Sequence, residues 1–255
     1  MVFGGTSAGF FAVDRGLPFA VAAVLAVLMT ALVGLVVERV ALRPMVGKPV
    51  FTVAIITIGV DIVLRQLQNR YIGAAARPIG DPIGLKTFSV GALPVQLRYL
   101  VMLATMVVLV AGLVAFFRYA RAGLAMRAAS FDQEVAMAQG IGVGATFALA
   151  WALAGALAAV AGILVSTGSG VDQQTWTIAL KALPAIIVGG LDSIGGAVAG
   201  GLIIGIVESL FSSYQGQYLP WLGGNFGAVS PYVVMLAVLL VRPYGLFGTA
   251  EVERV

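Results

Sequence analysis

Cysteine and histidine are both absent from the 255 residues, and only 10% of the chain is charged. The first two absences exclude disulfides, thiol catalysis, a histidine general base, and zinc or haem ligation through either residue. The scarcity of charge excludes most soluble folds, because a water-soluble domain carries about a quarter charged residues. No G-x-x-x-x-G-K-[ST] phosphate loop occurs: the Gly-Lys pair Gly47-Lys48 is followed by Pro49. The stretch from Met1 to Val13 lacks the basic start and small-residue cleavage site of a signal peptide.

What is present is apolar. Hydrophobic residues make up 60% of the chain and glycine contributes 33 residues, with a mean hydropathy of +1.04. The solvent implied is lipid. At roughly 20 residues per span, the length fits about seven or eight helices and short loops. The apolar runs exceed the alternating segments of about ten residues of an outer-membrane barrel. The expected fold is therefore all-α, a polytopic transmembrane helix bundle in one domain spanning 1–255. The net charge of +4 is read through membrane sidedness and not as a sign of a nucleic-acid partner.

Seven apolar segments can be marked, at 18–37, 50–68, 99–117, 144–168, 175–190, 195–213 and 229–241. Charges, prolines or glycine clusters close each one. With 38–49, 118–143 and 242–255 inside, the inner side holds Arg39, Arg43, Lys48, Arg118, Arg121, Arg127, Arg242 and Arg254. The outer side holds Arg15, Arg70, Arg77, Lys86 and Arg98. The bias favours a cytoplasmic C-terminus. The outer stretch 69–98, with Pro78, Pro82 and Pro94, reads as an irregular cap containing a short amphipathic piece. Alternation leaves Met1 to Val13 outside or within the bilayer, apolar but too short to cross, and a missing or abnormal start is one expectation from this.

The inner stretch 118–143 is the most informative loop. Ser130 and Gln133 have the spacing of a capping box, and Gly140 is placed to stop a helix. Leu124, Ala128, Phe131, Val135 and Ala138 form an apolar stripe beside Arg127, Asp132 and Glu134. Such a helix either lies on the lipid headgroups or docks a soluble partner.

Four segments in order resemble one family. They are Glu38-Arg39 with Arg43-Pro44; the loop with Gly123-x-Ala-x-Arg127-Ala128, Asp132 and Ala136-x-x-x-Gly140-Ile141; the run from Leu180 to Gly201 leading to Glu208; and Arg242-Pro-x-Gly245-Leu-Phe-Gly248. Together, over about 16–248, they resemble the integral permease subunits of bacterial ABC importers for branched-chain amino acids, the LivH type. The resemblance implies that 118–143 is a coupling loop to the ATP-binding subunit, its match carried by Gly123, Arg127, Ala128, Asp132, Ala136, Gly140 and Ile141. It implies no cofactor on this chain, ATP being bound by partner subunits. The implied partners are a second homologous permease, two ATP-binding subunits and an extracytoplasmic solute-binding protein, in a bacterial inner membrane. The family's opening span and its Asn-Phe-Ala-His-Gly stretch have no counterpart here, so a misassigned start or a subunit lacking that element is expected.

Candidate path residues come from the apolar runs. Gly196-x-x-x-Gly200 and Gly201-x-x-x-Gly205 permit close helix approach. Pro184 and Gly189-Gly190 suggest a discontinuous span, tolerated only inside protein or beside water. On that ground 181–201, with Gly189, Gly190, Ser193, Gly196 and Gly200, is expected either to pack helices or to border the translocation path. Asp61 and Arg65 lie one helical turn apart, about 16 Å deep at 1.5 Å per residue. An isolated charge there costs about 2.5–3.5 kcal/mol, so the pair faces protein or water. Glu208 matches the family's Gly-x-x-Glu pattern at Gly205 and serves either an interhelical contact or the path. Lys181 is expected to snorkel to the outer interface.

An enzyme is not expected: a rhomboid-type site needs histidine, and no Gly-x-Gly-Asp occurs. Two alternatives stay open. One is an ABC permease for urea, amides or another small polar solute. The other is a channel or ion-coupled secondary transporter using Asp61, Arg65 and Glu208 as a relay.

Overall fold

The computed structural model describes residues 1–45, 48–72, 76–81, 84, 86–90, 93–172, 174–218, 221 and 226–249. The fold is an all-α polytopic bundle, and each of the seven expected segments coincides with helix. Among the described residues, five helices are long and apolar enough to cross a membrane, and Trp176–Gly189 and Ser230–Val241 are shorter apolar helices. Internal contacts divide the chain into two compact units, Met1–Thr175 and the part from Trp176 onward.

The first unit contains α1 (Val2–Gly9), α2 (Phe19–Val37), α3 (Val50–Ile72), α4 (Leu97–Tyr119), α5 (Arg121–Phe131), α6 (Gln133–Ala138) and α7 (Val143–Ser166). Its centre is the packing of α2 and α1 on α7. Small residues make this possible, because lipid supplies no hydrophobic drive between helices and close backbone approach takes its place. Ala22, Ala26 and Thr30 are buried at four-residue spacing on α2, and the Thr30 hydroxyl donates to the Ala26 carbonyl at 2.7 Å. A Cβ on Gly155 would fall under 3.0 Å from the Thr30 carbonyl, and one on Gly34 would strike the Trp151 carbonyl. Helix α1 is short but buried: Gly4 lies against Ala159, and Gly5 against Ser166 and Val171. The apolar start is thus a packed half-length helix. It runs into a π-helical turn, Phe10–Asp14.

The 69–98 stretch holds a hairpin where an amphipathic piece was expected. Strands β1 (Thr87–Val90) and β2 (Leu93–Gln96) pair antiparallel, Thr87 opposite Gln96. The β-branched and aromatic residues of Thr-Phe-Ser-Val favour a strand over a helix. Nearby, Arg77 and Val171 exchange backbone hydrogen bonds of 2.9 and 2.8 Å. The Arg98 guanidinium donates to the Thr167 carbonyl at 2.8 Å and to Gln96 at 3.1 Å.

The second unit contains α8 (Trp176–Leu180), α9 (Ala182–Gly189), α10 (Ile194–Tyr218) and α11 (Ser230–Val241). The expected break is present between α8 and α9. Helix α10, the other member of the glycine-rich pair, runs unbroken for 25 residues. Its close backbone contact with α9 falls at Gly196 and Gly200.

Candidate functional site

The 118–143 loop is built from two helices and not one. Ala120, with φ −79° and ψ 139°, turns the chain out of α4 and starts α5. The reversal is so tight that a Cβ on Gly123 would fall under 3.0 Å from the Phe116 carbonyl and the Phe117 backbone. Asp132 is extended, with φ −155° and ψ 114°, and caps α6 by accepting from the Glu134 and Val135 amides at 2.9 and 3.0 Å. Ser130, the expected cap, donates instead to the Arg127 carbonyl at 2.7 Å inside α5. Helix α5 continues through Phe131, so the first free amides in need of a partner lie beyond Asp132.

At the other end, Gly140 has φ +80°. Its amide donates to Met137 O at 2.9 Å and the Ile141 amide to Ala136 O at 3.0 Å, the two bonds of a Schellman cap. Ala129, Ala136 and Val143, with Ile141 packed on them, form a small core. The expected stripe does not face that core. Leu124, Val135 and Ala138 are exposed, Phe131 is 90% exposed and Ala128 is half-buried, while beside the stripe Arg127 and Met137 are exposed.

The 176–201 segment is held by its own second unit. Helix α9 ends at Gly190, with φ +105°, where a side chain is strained. Ser193 Oγ accepts from the Gly196 amide at 2.9 Å, capping α10. A Cβ on Gly189 would clash with the Gly196 carbonyl, and one on Gly200 with the Ala185 carbonyl. Gly201 and Gly205 have nothing within 4 Å. Of the two Gly-x-x-x-Gly pairs, only the first lies at an α9–α10 contact. The terminal motif completes this end: Leu246 and Phe247 amides donate to the Val188 and Gly189 carbonyls at 2.9 and 3.0 Å, and Thr249 donates to Asp192 at 3.1 Å.

Lys181, expected to snorkel, donates to the Glu208 carboxylate. The pairing partner lies across on α10. Asp61 and Arg65 pair along α3 as their spacing requires, with side-chain exposures of 56% and 31%. Glu38, from the first resembling segment, is 3% exposed, and Arg43 lies against Gly144.

One cluster escaped the sequence reading. The Tyr71 hydroxyl donates to Asp14, and Arg77 approaches the same carboxylate at 3.6 Å. The Arg77 guanidinium also covers the Tyr71 ring, 4.5 Å from its centroid. These residues come from a π turn, the end of α3 and a loop, so no periodicity connects them.

The comparisons bear on what these elements do. A family profile described as branched-chain amino acid transport system / permease component matches residues 1–241. The high-affinity branched-chain amino acid transport system permease protein LivH of Escherichia coli K12 is 32% identical over 237 residues, covering 90% of this chain and 74% of that protein. The probable LivH of Methanocaldococcus jannaschii is 32% identical over 86% of this chain and 71% of its own length. BraD of Pseudomonas aeruginosa, a permease protein of the same kind of system, is 29% identical over 90% and 74%. No solved structure gives a significant match. A helical bundle with spans apolar enough for lipid, four ordered motifs and this likeness along nearly the whole chain agree, and the chain belongs to the branched-chain amino-acid transport permease family.

Proposed function

We propose that this chain forms half of the membrane pathway of an ATP-binding cassette importer for branched-chain or other hydrophobic amino acids. A second homologous permease completes the pathway, two ATP-binding subunits drive it, and an extracytoplasmic solute-binding protein delivers the solute. The observation that carries the reading is α6: a six-residue helix capped at both ends, with Phe131, Val135 and Met137 exposed around it. A link that transmits force must be rigid in itself and must offer surface to what moves it. Closure of the ATP-binding subunits would draw two such loops together and switch access from one side to the other.

The bacterial inner membrane, with a cytoplasmic C-terminus, is the setting that fits. The distribution of Lys and Arg supports it. The seating of Leu246 and Phe247 on the end of α9 fits the alternation, which puts that end and the tail on one side in either orientation. In this reading the broken α8–α9 span and α10, with Gly189, Gly190, Ser193, Gly196, Gly200 and Glu208, border the path, and Asp61 and Arg65 face it or the second permease.

The test is co-purification. Phe131→Asp and Arg127→Glu are expected to insert normally and to lose the ATP-binding subunit. Retention of that subunit in both variants argues against the loop, and proton-driven leucine uptake by the isolated chain overturns the importer reading.

A further inference from the structure

A cavity of about 310 Å³ opens in the first unit beside the Asp14, Tyr71 and Arg77 cluster. Its volume sits at the lower end of the roughly 300–1,000 Å³ typical of small-molecule sites. Its remaining walls are apolar, chiefly Val13, Ile72, Ile79 and Val171. Ile79 and Val171 are almost fully buried, so these walls are fixed by the core behind them. Val13 and Asp14 are presented by the π-helical turn Phe10–Asp14, a geometry found disproportionately at functional sites.

The charged pair is a poor structural staple. Asp14 and Arg77 stand 3.6 Å apart with side chains 40% and 46% exposed, and a pair so open contributes about 0–1 kcal/mol. What the arrangement does offer is one carboxylate and one guanidinium at the rim of an apolar recess. A carboxylate recognises an ammonium, and a guanidinium recognises a carboxylate through paired N–H donors. Stacking on Tyr71 holds the guanidinium plane in place. A ligand carrying an ammonium, a carboxylate and an apolar side chain on one carbon satisfies all three features, and a ligand missing either charge leaves one partner unpaired.

From this we propose that the cavity bounded by Asp14, Arg77, Tyr71 and the apolar walls is a binding site on the permease itself for a zwitterionic amino acid with an apolar side chain. The proposal rests on the amino-acid importer reading above. It places the site at the end of α7 opposite the 118–143 loop. The 24 residues of α7 separate the two by about 36 Å at 1.5 Å per residue. In the orientation proposed, that is the outer mouth, where solute released by a binding protein would first meet the permease.

The absence of native cysteine gives a clean probe. Val13→Cys, in membranes holding the chain with its partner subunits, is labelled with a small maleimide in the presence of leucine, leucinamide or isocaproate. Leucine is expected to slow labelling about tenfold at a concentration about ten times its Kd, and the two singly charged analogues to leave it unchanged. Asp14→Asn and Arg77→Gln, each added to Val13→Cys, are expected to abolish protection, read in each variant as the ratio of its liganded to its own unliganded labelling rate. The analogue comparison needs neither of these variants, so it decides even if one of them misfolds. ATP-driven leucine uptake by the unsubstituted complex is measured in parallel. Uptake without protection, or equal protection by all three compounds, overturns the site and leaves the importer reading standing. Selective protection without ATP-driven uptake supports the site and overturns the importer reading.

Discussion

Lys181 and Glu208, 27 residues apart in sequence, form an ion pair that ties the break between α8 and α9 to the middle of α10. Their side chains are 26% and 27% exposed. Each charge is therefore largely out of water and depends on the other.

Removing one member is expected to cost more than removing both. Lys181→Met or Glu208→Gln leaves a mostly buried charge without its partner, at about 1–3 kcal/mol. Lys181→Met combined with Glu208→Met is expected to recover most of that loss. Thermal unfolding of the purified protein in detergent, followed by fluorescence-detected size exclusion, checks the cycle; additive losses would show that the two residues are not coupled.

Adjacent glycines on α10 are expected to respond oppositely. Gly200→Ala forces a methyl group against the Ala185 carbonyl and is expected to lower stability by about 1–3 kcal/mol, as overpacking does. Gly201→Ala points into open space and is expected to leave the isolated chain's melting temperature nearly unchanged. Equal effects would mean that α9 and α10 do not approach as described.

Gly190 is expected to tolerate no side chain. Its φ of +105° and its contact with the Gly248 backbone make Gly190→Ala strained by about 1–3 kcal/mol, before any displacement of the tail. The expected result is earlier melting together with faster chymotryptic cleavage after Tyr244 or Phe247, read by mass spectrometry. An unaltered cleavage rate would argue against the seating of Leu246 and Phe247 on α9.

The caps of α6 separate coupling from folding. Asp132→Ala is expected to cost about 1 kcal/mol of local helix stability, and Gly140→Ala about 1–2 kcal/mol from its left-handed conformation. Both are expected to raise the ATP hydrolysed per leucine imported, with the protein still inserted. Asp132→Asn keeps an acceptor for the Glu134 and Val135 amides and is expected to restore the native ratio. A normal ratio in Asp132→Ala and Gly140→Ala would remove α6 from the coupling role.

The loop itself shows where local signals suffice and where they compete. Gly140 marks the end of α6 correctly, because few other residues adopt positive φ at a helix terminus. The start was less legible. Ser130 and Asp132 are both good caps within three residues, and the choice fell to Asp132 because α5 packs through Ala129 and persists to Phe131. That persistence is a tertiary effect. The same applies to the stripe from Leu124 to Ala138: its spacing was readable, but a break at Asp132 reorients its second half and leaves Phe131 outside.

By itself the sequence determined the solvent, the seven apolar helical segments and the family. Apolar runs too long for a soluble core require lipid, lipid requires every backbone group to be bonded within its own helix, and the four ordered motifs mark the lineage. Tertiary structure alone decided which small residues and charges meet. Gly200 packs while Gly201 does not, Lys181 pairs with Glu208, and Asp14 faces Arg77 across a recess. Periodicity reports which environment a residue prefers. Partnership between residues far apart in sequence depends on how helices rotate and cross, and in lipid that is settled by close fit among many near-equivalent small residues.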